Sequence, residues 1–235
     1  MHTQEDGFKM IHILIETLGC SLFMIIVVLY CINRRQIDAT SDSKIIQGVI
    51  KKSGTKKRIY MIGSAVVLFF LGVWLPLLYP DNDILVNIRS VIVVSLLLIA
   101  AYYDYIEYRI PNNLILLGLT FWALITIAGF FLYHEKEFNY LILEIIICIA
   151  FGIISAISLL VVKNGMGMGD IKLLLLVGLI EKTDGVISSI FASLVLIFIA
   201  SVFCLITNKK NKNDVLPFAP FVMIGTIISI TLMGC

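Results

Sequence analysis

Eight apolar stretches punctuate this chain, at 11–32, 59–79, 84–103, 112–133, 140–162, 167–181, 185–207 and 215–234. Each is set off by charged residues, proline or glycine. Lipid offers the backbone no hydrogen-bond partner, so a segment crossing it must satisfy its own N–H and C=O groups, which a helix does. About 20 apolar residues of helix span the ~30 Å hydrocarbon layer. Most of the stretches meet that length. The stretch 167–181 is the short one, and it spans only if the glycine-rich residues before it enter the membrane. Together the stretches occupy most of the 235 residues and leave no room for a separate soluble domain. Charged residues make up 14% of the chain, against about a quarter in soluble domains. A water-soluble enzyme, a disordered chain and an ordinary nucleic-acid binder are excluded. The expected fold is an all-α polytopic membrane bundle of about eight transmembrane helices. It divides into an N-terminal region of two spans with a basic loop at 33–58, covering 1–89, and a six-span region, 90–235.

Basic residues set the sidedness, because Lys and Arg near span ends stay in the cytoplasm. With eight crossings, the side holding Arg34, Arg35, Lys44, Lys51, Lys52, Lys56, Lys57 and Arg58 also holds Arg109, Lys163, Lys172, Lys209, Lys210 and Lys212. That is fourteen of the 18 basic residues. Both termini are therefore expected outside the cytoplasmic membrane, and loop 33–58 inside. That loop reads as a topology determinant touching anionic headgroups. The apolar stretch after Glu5 and Asp6 lacks a small-residue cleavage site and reads as a retained first span. No internal repeat is visible.

Cys20, Cys31, Cys148 and Cys204 lie in apolar stretches, and Cys235 ends the chain. No CxxC pair occurs, so the cysteines read as small apolar fillers rather than a disulfide framework or a metal site.

Ionisable groups at membrane depth cost about 2.5–3.5 kcal/mol at the bilayer centre on insertion scales, and so mark candidate sites. Two acids stand out. Asp104 follows Tyr102-Tyr103 at the end of the third stretch. Asp170 ends the run Gly165-Met166-Gly167-Met168-Gly169-Asp170 and opens the sixth. The topology puts both at the cytoplasmic ends of their spans, hence at one depth. Two neighbouring carboxyls cannot both ionise, so they share a proton. The ionised one can draw a proton from water while the other hydrogen-bonds a carbonyl and protonates a leaving amine. Glycines at 165, 167 and 169 allow close backbone approach. No metal is required. Glu16 and Glu144 read as interfacial or helix-paired, and Met166 and Met168 as adaptable packing.

These residues together resemble the type 4 prepilin peptidases, membrane aspartic endopeptidases of the GxGD kind. Asp104 followed by Ile110-Pro111-Asn112 is similar to one family motif. Gly165 to Asp170 running into Ile171-Lys172-Leu173 is similar to the second. Leu216-Pro217-Phe218-Ala219-Pro220-Phe221 is similar to the third. The resemblance covers roughly 90–235. It implies Asp104 and Asp170 as the catalytic pair at the cytoplasmic face of the inner membrane. The implied partners are the lipid bilayer and pilin- or pseudopilin-like precursors of type IV pili and related secretion systems, whose basic leader is cut just before a hydrophobic helix. Proteolysis would need no cofactor and no nucleic acid. Many members also bind zinc through paired cysteines in the first cytoplasmic loop and N-methylate the product from S-adenosylmethionine. Loop 33–58 has no cysteine, so no zinc site is expected and methylation is in doubt.

Other residues of these motifs have structural readings. Pro111 and Asn112 are expected to start the fourth helix, with Asn as cap. Pro217 and Pro220 shape the start of the eighth and leave carbonyls free for an extended peptide. Lys172 is expected to snorkel to the headgroups, and Glu107 to attract a basic leader. Two competing assignments use the same acids. One is an intramembrane protease of the signal-peptide-peptidase and presenilin type. The other is a proton-coupled transporter with Asp104 and Asp170 as a relay.

Overall fold

A computed structural model describes residues 2–40, 47–132, a few positions between 141 and 153, and 167–181, 183–207 and 216–233. Most of the fifth stretch lies outside these residues, with Glu144 and Cys148, as do Gly165, Met166, Lys163 and the cluster Lys209 to Lys212. The described residues form helices and no strand: α1 (His2–Thr40), α2 (Gln47–Leu78), α3 (Ile84–Glu107), α4 (Asn112–Leu132), α5 (Met168–Ile180), α6 (Thr183–Ile206) and α7 (Ala219–Met233).

Among the described residues, five segments are long and apolar enough to cross a membrane: Met10–Asn33, Lys56–Leu78, Ile84–Glu107, Asn112–Leu132 and Gly185–Ile206. The protein is a polytopic helical membrane protein. Apolar side chains such as Ile15, Phe70, Phe131 and Phe198 stand exposed on these helices, as a lipid-facing surface requires. The 13 residues of α5 rise only about 20 Å, short of the hydrocarbon thickness.

The helices outrun the apolar stretches. α1 continues to Thr40 and α2 starts at Gln47, so most of the expected loop 33–58 is helical. Lys, Arg and Gln are good helix formers, and water tolerates the helix beyond the bilayer. Similarly, Asp104 falls inside the last turn of α3 rather than after it.

The chain divides into two compact units, Met1–Ile99 and Ala100–Cys235, with the boundary inside α3. In the first, α1 packs on α2 through small residues. Thr17 Oγ1 donates to Gly72 O at 3.2 Å, and a Cβ at Gly72 would run into Ser21. Small residues allow such approach in lipid, where van der Waals packing replaces the hydrophobic drive. Glu16 is helix-paired, with its Oε1 3.2 Å from His12 Nδ1. Cys20, Cys31 and Cys204 are partly buried thiols outside any disulfide.

In the second unit α4 packs on α5, α5 on α6, and α6 on α7. The α4–α5 contact closes on Gly118, whose absent Cβ would lie 2.5 Å from Leu176 Cδ2. The α6–α7 seam is lined with hydroxyls. Ser188 and Ser229 hydrogen-bond across it, and Ser229 Oγ donates to Gly185 O at 3.3 Å. A Cβ at Gly225 would stand 2.6 Å from Ser193 N. At the C-cap of α5, Glu181 is buried and accepts from Ser189 Oγ at 2.8 Å.

Candidate active site

Asp104 and Asp170 sit at helix ends that the second unit brings together. Asp104 is in the last turn of α3, and its residue is only 5% exposed. Asp170 is the third residue of α5. The two carboxyls lie within Coulombic reach of each other.

Asp170 owes its placement to the start of α5. Gly167 is the N-cap, with φ −70° and ψ 139° and no side chain to cap the helix. The N–H of Asp170 bonds to Gly167 O at 3.0 Å. The Asp170 carboxyl reaches back to the Gly167 N–H, the backbone half of a capping box. It also sits where the positive end of the helix dipole favours a carboxylate. A Cβ at Gly167 would stand 3.0 Å from Asp170 Oδ2, so glycine there leaves room for the carboxyl itself.

Asp104 is held from a third helix. Its Oδ2 accepts the N–H of Ala219, the first residue of α7, at 2.9 Å. The first turn of a helix has N–H groups without intrahelical partners, and α7 disposes of them in three ways. Pro220 has none. Phe221 and Val222 donate to Phe218 O, at 3.0 and 3.3 Å. Ala219 is fully buried and uses Asp104. The expected opening of the last helix by Pro217 and Pro220 is thus found, with Pro220 the second residue of α7. The contact to Asp104 goes through a backbone donor between the prolines. No side-chain signal announces it; the clue is a helix start in need of an acceptor.

The first motif closes on the second at two points. A Cβ on Gly169 would meet Ile110 Cβ at 3.4 Å. Lys172 Nζ donates to Asn112 Oδ1 at 2.9 Å. A reading in which Lys172 snorkels to the headgroups and Asn112 caps its own helix does not anticipate this pair. Instead Pro111 precedes α4 and its carbonyl accepts from Leu114 N at 3.0 Å. Asn112 begins the helix and turns its side-chain oxygen to Lys172. The pair is sixty residues apart in sequence, which hides it from local reading. Glu107 is the exposed last residue of α3. Tyr108, just beyond, has φ 53° and was not singled out by the sequence. Gly165 lies outside the described residues. Among the described residues, no group of three His, Cys, Asp or Glu side chains could hold a metal ion.

The fold and site thus define a class: a multi-pass helical membrane protein with two acids from different helices at one place. Residues 91–207, about half the chain, match the family model of the type IV leader peptidase family. The chain belongs to that family and is by membership a peptidase. Asp104 and Asp170 fall inside the match, and the Pro217–Pro220 segment beyond it. No curated protein and no solved structure matches the chain significantly.

Proposed function

We infer that this peptidase is an aspartic endopeptidase of the cytoplasmic membrane, cutting the basic leader from type IV prepilin-like precursors at the inner face. The observation that carries the reading is the convergence of Asp104 and Asp170 within Coulombic reach, at the C-terminal end of α3 and the N-terminal end of α5. The chemistry needs one carboxyl of the pair ionised and the other protonated. The ionised carboxyl takes a proton from water as the water oxygen attacks the scissile carbonyl carbon. The protonated partner donates to the carbonyl oxygen. On collapse of the tetrahedral adduct the C–N bond breaks, and the amine leaves with a proton from the pair.

The roles of the neighbours follow from their contacts. Ala219 orients Asp104, and Gly167 leaves space for Asp170. Gly169 with Ile110 and Lys172 with Asn112 tie the two motifs together, and Pro217 and Pro220 shape the approach. Helix ends, rather than mid-span positions, favour a surface-level junction over an intramembrane bond. Peptide hydrolysis by such a pair uses no cofactor, and methyl transfer is not part of the reading.

The test uses purified protein in bilayer nanodiscs with a membrane-inserted prepilin and a control whose only candidate bond lies mid-span. Mass spectrometry of the products is expected to locate one cut between the basic leader and the hydrophobic helix. Cleavage of the mid-span substrate instead, or of neither, contradicts the reading.

A further inference from the structure

Tyr108 is the one non-glycine residue with positive φ among the described residues, at 53°. In that region an L-residue's Cβ crowds the following carbonyl oxygen, and a bulky side chain there is an outlier. The backbone has a use for the conformation. Tyr108 N–H bonds to Asp104 O at 2.9 Å, the left-handed cap that ends a helix. It stops α3 just after Asp104 and turns the chain towards Ile110 and Asn112, the residues that meet Gly169 and Lys172.

None of this calls for tyrosine, since glycine takes the same backbone without strain. Packing does not explain the ring either, because Tyr108 is 52% exposed. Non-glycine residues held in this region cluster at active sites and ligand clamps. Tyr108 stands four residues beyond Asp104, immediately after the helix that carries it. Its sequence neighbours Glu107 and Arg109 are exposed and opposite in formal charge, so their net charge does not select a partner. The face of an aromatic ring does, attracting Lys and Arg side chains.

We propose that Tyr108 is a substrate-contacting specificity residue, whose ring stacks on a Lys or Arg side chain of the leader segment. This rests on the prepilin reading above, because the leader supplies the cation.

The experiment measures kcat and KM for the full chain in nanodiscs, as wild type, Tyr108→Gly and Tyr108→Phe. Two precursors are used, one with its basic leader and one with the leader's Lys and Arg changed to Gln. Thermal unfolding of each variant is measured in parallel. Tyr108→Gly is expected to melt no lower than wild type, and to raise KM for the basic leader roughly threefold to tenfold, the scale of a cation–π contact, with little change in kcat. Tyr108→Phe keeps the ring face and a near-wild-type KM. On the Gln leader the wild type and Tyr108→Gly become alike. An unchanged KM for Tyr108→Gly on the basic leader overturns the inference. So does a rise in KM that persists on the Gln leader, because the ring then serves the bilayer interface. If wild type cuts neither precursor, the prepilin reading itself falls, and this inference with it.

Discussion

Substitution of Asp104 separates its hydrogen bond from its proton chemistry. The carboxyl oxygen that accepts from Ala219 N at 2.9 Å serves a fully buried donor. Within the first turn of α7, Pro220 has no N–H and the next two donors bond to Phe218 O. Ala219 therefore depends on Asp104. Asp104→Ala leaves that N–H buried and unpaired, a cost of about 1–3 kcal/mol. Asp104→Asn keeps a side-chain oxygen in place and gives up only the charged character of the acceptor, costing up to about 1 kcal/mol. One kcal/mol moves the midpoint about 2–4 °C in proteins of this size. Asp104→Ala should thus melt roughly 2–12 °C below wild type, and Asp104→Asn within about 4 °C of it. The assay is thermal unfolding in detergent with a dye that fluoresces on reacting with the partly buried thiols of Cys20, Cys31 and Cys204. An Asp104→Ala protein that melts with the wild type, or an Asp104→Asn protein that melts with Asp104→Ala, refutes the capping argument.

Four further outcomes can be checked with the same preparations. Gly167→Ala keeps an allowed backbone, but its Cβ would press on Asp170 Oδ2 at 3.0 Å. Cleavage should fall roughly tenfold or more. Gly169→Ala only makes ordinary contact with Ile110, and should stay within about threefold of wild type. Gly225→Ala forces a Cβ to 2.6 Å from the Ser193 backbone nitrogen, and should lower stability by about 1–3 kcal/mol through overpacking of the α6–α7 seam, read as a lower melting midpoint. Lys172→Met and Asn112→Ala each break an exposed hydrogen bond, so each should cost no more than about 1 kcal/mol. The double variant should melt like the single ones, because the second substitution finds no bond left to break.

The membrane class is legible in the sequence because apolar runs of bilayer length have few other uses. The two acids are legible because a carboxylate at the end of an apolar run is costly, and because glycines flank only one of them. What the sequence hides is of three kinds. The charged flanks of α1 and α2 continue as helix to Thr40 and from Gln47, since hydropathy records where lipid ends and not where helix ends. The donor to Asp104 is a backbone N–H of Ala219, a residue whose side chain carries no chemistry. Lys172 and Asn112 meet only through the packing of α5 on α4, and Lys172 alone reads as a snorkelling cation. The left-handed turn at Tyr108 is invisible for a related reason, as glycine or asparagine would have flagged it.

The account stands or falls with the cleavage rates of Asp104→Asn and Asp170→Asn against wild type, on one prepilin, with binding of the precursor followed in the same samples. Both amides keep the shape of the site and remove the shared proton. Each variant should bind the precursor as wild type does and lose cleavage by at least about 10²–10⁴-fold. Processing at the wild-type rate by either variant would contradict the two-carboxyl mechanism.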